Sequence, residues 1–584
     1  MPRTFAYYCS GHGYGHATRV SAFASHLLLL EDPPTIHIVS SAPAHVFQDS
    51  IALGAHYRNA LIDPVVVQPV AYRVDREKSV AALKSFLKTK EEMAREEADW
   101  LKTVGADCVL SDAAFLAFIA ADRAQIPSVL VTNFTFDSVF SYLSHPVNQA
   151  SPHLSDRTFL SDNVDGGDSP VPEEVLEPLV RQVYDGYRRA DLLLRLPGYI
   201  PIPSFSMKPA LPAPRWIDPW TGTFDAKVVS QLYEKVENIP VHPSLPFSAS
   251  LERPGPSKKP LPRTVRPAPL LVRLPSADVY TSAGRARVLS ALGVPSERHD
   301  VHTTRILVVS FGGQVFHVPR SRTPSRPNSF ISSPASSTEG SPPAPNSQGL
   351  GFSFFGSLQH SLNALADREP QPCKRFVPPL FSTSHIHIPG APAPASLPAS
   401  PISPRANAFE PLSSGRVVVR SPSDESLEDE PHMLPDESWI AIVCGVDNQA
   451  EGELPDGFYV APKDVYMPDL MAVADVLLGK LGFGTVAECV DSCTPFVYIS
   501  RPLFVEEHGL KIYLDRAGVG VEMAHNEYES GHWAARIADA WARGGTRKCM
   551  RREGAHAVDR RAEGRDIAEF LMDWVEEWKT SAEE

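Results

Sequence analysis

The stretch YYCSGHGYGHATRV, Tyr7 to Val20, sets three glycines (Gly11, Gly13, Gly15) and two histidines (His12, His16) in a turn between an apolar strand and a helix. Glycine is needed where a backbone bends sharply or comes close to a ligand. The N–H groups that open a helix face an anion. Strand, glycine turn and helix together form the repeating unit of an α/β sheet, which takes its ligands at the C-terminal ends of its strands. A dinucleotide is the first guess, and it fails twice. The spacing is GxGxG rather than GxGxxG, and the next strand ends in IVSS, without the Asp or Glu that would hold a ribose. A structural turn carrying surface histidines is the alternative.

Working outward, short apolar runs alternate with helical stretches from Phe5 to Pro197: FAYYCS, TIHIVSS, DCVLS, SVLVT and DLLLRLP read as strands. SVAALKSFLKTKEEMAREEADWLKTVG is the longest helix among them. A second series opens with RILVVSFGG, resumes at SWIAIVCG and runs through FYVAP, DVLLGKLG, PFVYIS and VGVEM. The pattern predicts an α/β chain with two doubly wound, Rossmann-like domains. The expected division is an N-terminal domain over 1–205, a Pro-rich insertion or linker over 206–267, the start of a second domain over 268–317, an insertion over 318–435 and the rest of the second domain with a C-terminal helix over 436–584. The 318–435 stretch is dominated by Ser and Pro and cannot bury enough apolar surface to offset its ordering entropy, so it is expected to be disordered. Within it, PNSQGLGFS faintly resembles a kinase phosphate loop but has no apolar helix after it.

Composition excludes several classes. The 584 residues, 43% hydrophobic, can bury two or more cores, although 56 prolines interrupt regular structure. A net charge of −14 without a Lys/Arg block gives poor attraction to nucleic acid or an anionic bilayer. Seven scattered cysteines fit a reducing compartment better than a disulfide framework, and CVDSC, Cys489 to Cys493, reads as one helix turn rather than a metal site. No signal peptide or membrane-spanning run is seen, so a soluble cytoplasmic protein without a metal is expected.

The second half carries its own anion-friendly turns. VVSFGGQ, Val308 to Gln314, runs a strand into a glycine pair. ADVLLGKLGFGTVAE places Lys480 before a glycine turn and Glu488 in the following helix. A cation suits phosphate and a carboxylate suits vicinal hydroxyls. The alternatives are a solvated loop charge at Lys480 and a carboxylate near a helix N-terminus at Glu488.

GKLGFGTVAE with RPLFVEEHGLKIYLDRAGVGVEM resembles the donor domain of GT-B glycosyltransferases of the family 28 type. GHGYGHATRV, VTNFTFDSVF, LLLRLPGY, VSFGGQ, LGKLGFGTVAE and GVEM resemble, in the same order, segments of the glycosyltransferase-like N-terminal half of L-arabinokinases. The resemblance does not extend to a sugar-kinase half, so sugar phosphorylation is not expected. It implies two domains facing across a cleft, with a nucleotide-sugar donor, a UDP-sugar by expectation, on the second domain and an unknown acceptor on the first. By the resemblance, Gly312, Gly313 and Gln314 cradle phosphate, and Lys480, Gly482, Gly484 and Thr485 complete the diphosphate site. Glu488 holds the ribose, Tyr466 and Met467 border the base, and Glu506 and Glu507 reach the donor sugar or form a helix N-terminal charge pair. Transfer to a hydroxyl needs a base. His16, which matches the family's loop histidine, and His12 are the candidates, with Asp112 an orienting carboxylate or a helix cap. Asn133 and Asp137 are weaker candidates of that kind. The rival reading is a nucleotide-sugar-binding or regulatory module that performs no transfer.

Overall fold

The computed structural model describes residues 2–11, 14–68, 74–147, 169–235, 238–248, 258–311, 432–445, 455–462 and 464–583. His12, Gly13, Gly312, Gly313 and Gln314 lie outside them, as does the 318–435 insertion up to residue 431.

Two parallel sheets with flanking helices make up the described chain, as the alternating pattern predicts. The first takes β1 (Thr4–Cys9), β2 (Thr35–Ser40), β3 (His56–Asn59), β4 (Cys108–Asp112), β5 (Ser128–Thr132), β6 (Leu192–Arg195) and β7 (Thr264–Pro267), in the spatial order β3-β2-β1-β4-β5-β6-β7. The second takes β8 (Arg305–Ser310), β9 (Trp439–Val443), β10 (Phe458–Val460), β11 (Val476–Lys480), β12 (Phe496–Ile499) and β13 (Gly520–Glu522), in the order β10-β9-β8-β11-β12-β13. Central strands such as β4, β5 and β9 are buried along their whole length, which is why they read as unbroken apolar runs. The edge strands HYRN and TVRP are half-solvated and carry no such signal. The second of these, at the end of the Pro-rich 206–267 segment, pairs with β6 and so belongs to the first sheet.

Both sheets reverse their winding beside their first strand. In the first, the chain leaves β1 toward β2 and β3, then returns to lay β4 on the other side. In the second, β8 is flanked by β9 and β11 in the same way. Loops diverge at such a reversal and leave a crevice at the C-terminal strand ends. GHGYGH follows β1 and Asp112 closes β4, while Phe311 follows β8 and Lys480 closes β11. The topology alone therefore puts Asp112 and Lys480 at the C-terminal strand ends beside the two reversals.

Helices complete the layers. Arg76–Thr103, the longest, is capped by Asp75, whose side chain accepts from the Lys78 N–H. It buries Val80, Leu83, Phe86, Leu87, Ala94, Ala98 and Leu101 at helical spacing, and each of its large apolar side chains is worth about 1.5–3 kcal/mol on full burial. One core cluster joins the two sheets. It runs from Phe5 and Tyr7 through Val20 and Phe23 to Phe483 and Val486, and on to Ile306 and Leu477. The C-terminal helix Arg560–Glu583 returns to the first sheet's side: Arg3 pairs with Glu576 at 2.6 Å, and Phe247 packs edge-on against Trp578. Among the described residues no helix is long and apolar enough to cross a membrane.

Candidate functional site

The turn after β1 must pass close to the end of β2. A Cβ on Gly11 would fall 2.0 Å from the Ser41 hydroxyl, so only glycine allows the passage. The helix Tyr14–Leu28 starts directly afterwards and carries His16 and Arg19 on one face, three residues apart. Both side chains reach the end of β4. His16 Nδ1 lies 3.1 Å from Asp112 Oδ2, and Arg19 forks onto the same carboxylate, with Nε 2.6 Å from Oδ2 and Nη2 2.5 Å from Oδ1. Arg19 also donates to Asn133 Oδ1 at 2.6 Å, and its Nη2 lies 3.0 Å from His16 Nδ1. His16 stacks on Phe136 and meets Phe134 edge-on.

The three polar groups are buried, with His16 7% exposed, Arg19 2% and Asp112 0%. Burial alone would raise the Asp112 carboxyl, but Arg19 and then His16 outweigh it and hold it below the usual carboxylate range. Burial likewise opposes the Arg19 charge, which Asp112 and the more distant Glu506 restore. Nε2 of His16 makes no hydrogen bond among the described residues. With its proton on Nδ1, toward Asp112, the ring would have Nε2 free to accept, as an oriented base does, whereas the Arg19 N–H, which can only donate, suits the opposite tautomer. Ala113, next after Asp112, takes φ of 63° and turns the chain sharply away from the carboxylate. Asn133 is thus spent on Arg19. Asp137 faces the core, where burial raises its carboxyl to about 6.

Across from this cluster, Gly482 caps the helix Phe483–Ser492. Lys480 closes β11 and makes no hydrogen bond or ion pair among the described residues. Burial, with Arg501 nearby, lowers its ammonium to about 8 against the pull of Glu506 and Glu507. Glu488, its side chain 11% exposed, lies on the same helix. Arg273 Nη2 reaches Glu488 Oε1 at 3.4 Å, and its guanidinium also lies 5.4 Å from the centre of the Tyr466 ring. Tyr466 bonds to the Leu274 carbonyl at 2.9 Å, and Met467 begins the helix behind it. Arg273 and Arg19 are the members that sequence reading missed. Arg19 stood inside the quoted GHATRV motif, but Arg273 had no local signal.

The adjacent Glu506 and Glu507 part company. Glu507 is buried and turned onto Arg501, accepting from its backbone N–H at 2.8 Å and from its Nε. Burial pushes its carboxyl up to about 7, with Arg501 opposing. Arg501 in turn donates to the Leu481 carbonyl at 2.7 Å, just before Gly482, so the pair braces the glycine turn. Glu506 is the less buried of the two and keeps a longer contact, 3.4 Å, with the same guanidinium.

The two half-sites touch. The Gly484 N–H nitrogen lies 3.6 Å from where a Gly15 Cβ would stand, and the Arg19 guanidinium lies 4.7 Å from the centre of the Phe483 ring. Gly15, Thr18 and Arg19 of the first half therefore meet Phe483 and Gly484 of the second. Among the described residues no group of three or more His, Cys, Asp or Glu side chains is placed to hold a metal ion.

No protein-family model matches the chain. It is 24% identical over 534 residues to L-arabinokinase of Arabidopsis thaliana, an alignment covering 91% of this chain and 31% of that protein. The chain thus spans about a third of the length of that curated relative. Among solved structures it is similar to the glycosyltransferase SnogD from Streptomyces nogalater, at 10% identity and a TM-score of 0.40 over 98% of this chain and 100% of that one. A UDP-glucosyltransferase from Polygonum tinctorium gives 12% identity and a TM-score of 0.42 over 99% of each chain. A spinosyn rhamnosyltransferase complexed with thymidine diphosphate gives 11% and 0.37 over 94% of this chain and 95% of that one. The chain is a weak homologue of a part of L-arabinokinase.

Proposed function

We propose that the protein binds a nucleotide sugar at the reversal point of its second sheet and transfers the sugar to a hydroxyl of an acceptor held at the first. The observation that carries this reading is the junction itself. His16 on Asp112 at the end of β4, and Lys480 at the end of β11 with Glu488 in the helix after it, belong to two sheets whose glycine turns are in contact.

In this reading the diphosphate lies on the N–H groups from Gly482 to Thr485, with Lys480 supplying a cation. Glu488 accepts from the ribose hydroxyls, Tyr466 and Met467 border the base, and Arg273 holds Glu488 in place. Gly312, Gly313 and Gln314, and His12 with Gly13, belong to the site by resemblance to the glycosyltransferases. Glu506, rather than the inward Glu507, is the carboxylate for the donor sugar. His16 Nε2 takes the proton of the acceptor hydroxyl as its oxygen bonds to the anomeric carbon. The bond from that carbon to the diphosphate breaks, and the nucleoside diphosphate leaves with the electron pair. Asp112 keeps the Nδ1 proton in place and stabilises the imidazolium that forms.

One observation favours a second reading, a binding module: Arg19 presses on His16 Nδ1 and leaves the ring nearly enclosed. The test is incubation of the purified protein with a panel of nucleotide sugars, UDP-sugars first, and candidate acceptors, following nucleotide release. Acceptor-dependent release supports transfer. Binding without hydrolysis or transfer assigns the module, and no binding of any donor overturns both.

A further inference from the structure

A second cavity, of about 320 Å³, lies outside the crevice on the first sheet. Its floor is Leu193 and Arg195 at the end of β6 with Val265 of β7, and its walls are Tyr199, Ile200 and the end of the helix Ala226–Leu232. That volume is at the small end of ligand pockets, the size of a single sugar ring with one substituent.

Two of its polar groups lack partners. Arg195 has no hydrogen bond and no ion pair among the described residues, and its Nε is buried. Among the described residues its electrostatic companion is the face of Tyr199, 3.9 Å from the guanidinium carbon. Arg188 and Arg273 also have a buried Nε without a partner but bond through other nitrogens, while Arg19 has Asp112 and Arg263 three backbone carbonyls. Gln231, which also lines the cavity, has a buried Oε1 with no donor. A buried polar group without a partner costs the full penalty of losing water. Lys208 adds a second cation at the rim and Glu234 a single carboxylate.

The two vacancies have complementary chemistry. Arg195 needs an acceptor, best an anion that matches its planar fork. Gln231 Oε1 needs a donor such as a hydroxyl. From this we infer that the cavity is a binding site for a small hydroxylated anion, a sugar-sized molecule carrying a carboxylate or phosphate. The site shares no residue with the crevice, so it stands or falls independently of the transferase reading.

The experiment is calorimetric titration of the full chain with glucuronate, glucose 6-phosphate, inorganic phosphate and glucose. At least one of the two hydroxylated anions should bind, more tightly than phosphate or neutral glucose, and which one binds separates carboxylate from phosphate. Arg195→Met should weaken that binding roughly tenfold or more. Gln231→Glu, which sets a like charge against the anion, should weaken it too, and decides the matter if Arg195→Met fails to fold. Failure of both hydroxylated anions to bind overturns the inference, as does wild-type affinity in the folded variants.

Discussion

Gly484 touches Gly15: a Cβ on the first would lie 3.2 Å from the Cα of the second and 3.1 Å from the Thr18 hydroxyl. The glycine turns of the two sheets therefore meet backbone to backbone. Gly484→Val should force them apart, costing about 1–3 kcal/mol by overpacking. Nucleotide-sugar affinity should fall at least tenfold while the protein remains folded. Calorimetry beside a denaturant melt reads both, and unchanged affinity would remove the junction from the site.

His16→Ala should lower transfer by about 10²–10⁴-fold and leave donor affinity unchanged, because the donor groups stand on the other sheet. Asp112→Asn is a different experiment. It deprives the buried Arg19 of its counter-charge, a loss of about 3–5 kcal/mol. Its midpoint in urea should shift strongly, whereas that of His16→Ala should move little. Equal transfer rates for wild type and His16→Ala place the base elsewhere.

Lys480 supplies a pH test. Its ammonium, lowered to about 8, is charged below that pH and neutral above it. Only the charged form attracts a diphosphate, so affinity should fall about tenfold between pH 7 and pH 9. Lys480→Met should bind weakly at both pH values, with the slope lost. A slope that persists in the variant would belong to another group.

Glu488→Gln keeps the side chain's shape but removes the charge offered to ribose hydroxyls, so donor binding should weaken by about 1–3 kcal/mol. The control must leave the fold alone. Asp75 is unsuitable because its carboxylate caps the longest helix, a contact worth about 1 kcal/mol. Glu92, exposed on that helix, is the better choice. Equal losses in Glu488→Gln and Glu92→Gln would count against the assignment.

The insertion can be tested through the strands that flank it. β8 and β9 are parallel neighbours, with Arg305 opposite Trp439 and Val309 opposite Val443. The chain must therefore travel back along the full strand length, which takes about a dozen residues. Replacing 319–431 with a flexible linker of about ten residues keeps that length and should leave cooperative unfolding and donor binding nearly intact. Joining 310 directly to 439 should abolish soluble folding. Loss of folding in the first variant would mean that the insertion is structural.

The runs FAYYC, RILVVS and DVLLGK were legible as strands because burial on both faces leaves no room for polar residues. That local chemistry, with glycine turns following, determined two doubly wound sheets and located His16, Asp112, Lys480 and Glu488 at strand ends or in the helices after them. HYRN and TVRP escaped, since an edge strand is specified by its neighbour's hydrogen bonds and not by its own composition. The pairings came only with the tertiary structure. Arg19 and Asn133 are joined across 114 positions and Arg273 and Glu488 across 215, so no local window contains either contact. Glu506 and Glu507 make the point most simply. Adjacent and identical in sequence, they take different places on the helix they open: Glu507 is turned inward and accepts from the backbone N–H and Nε of Arg501, whereas Glu506 keeps only a longer contact of 3.4 Å to the same guanidinium.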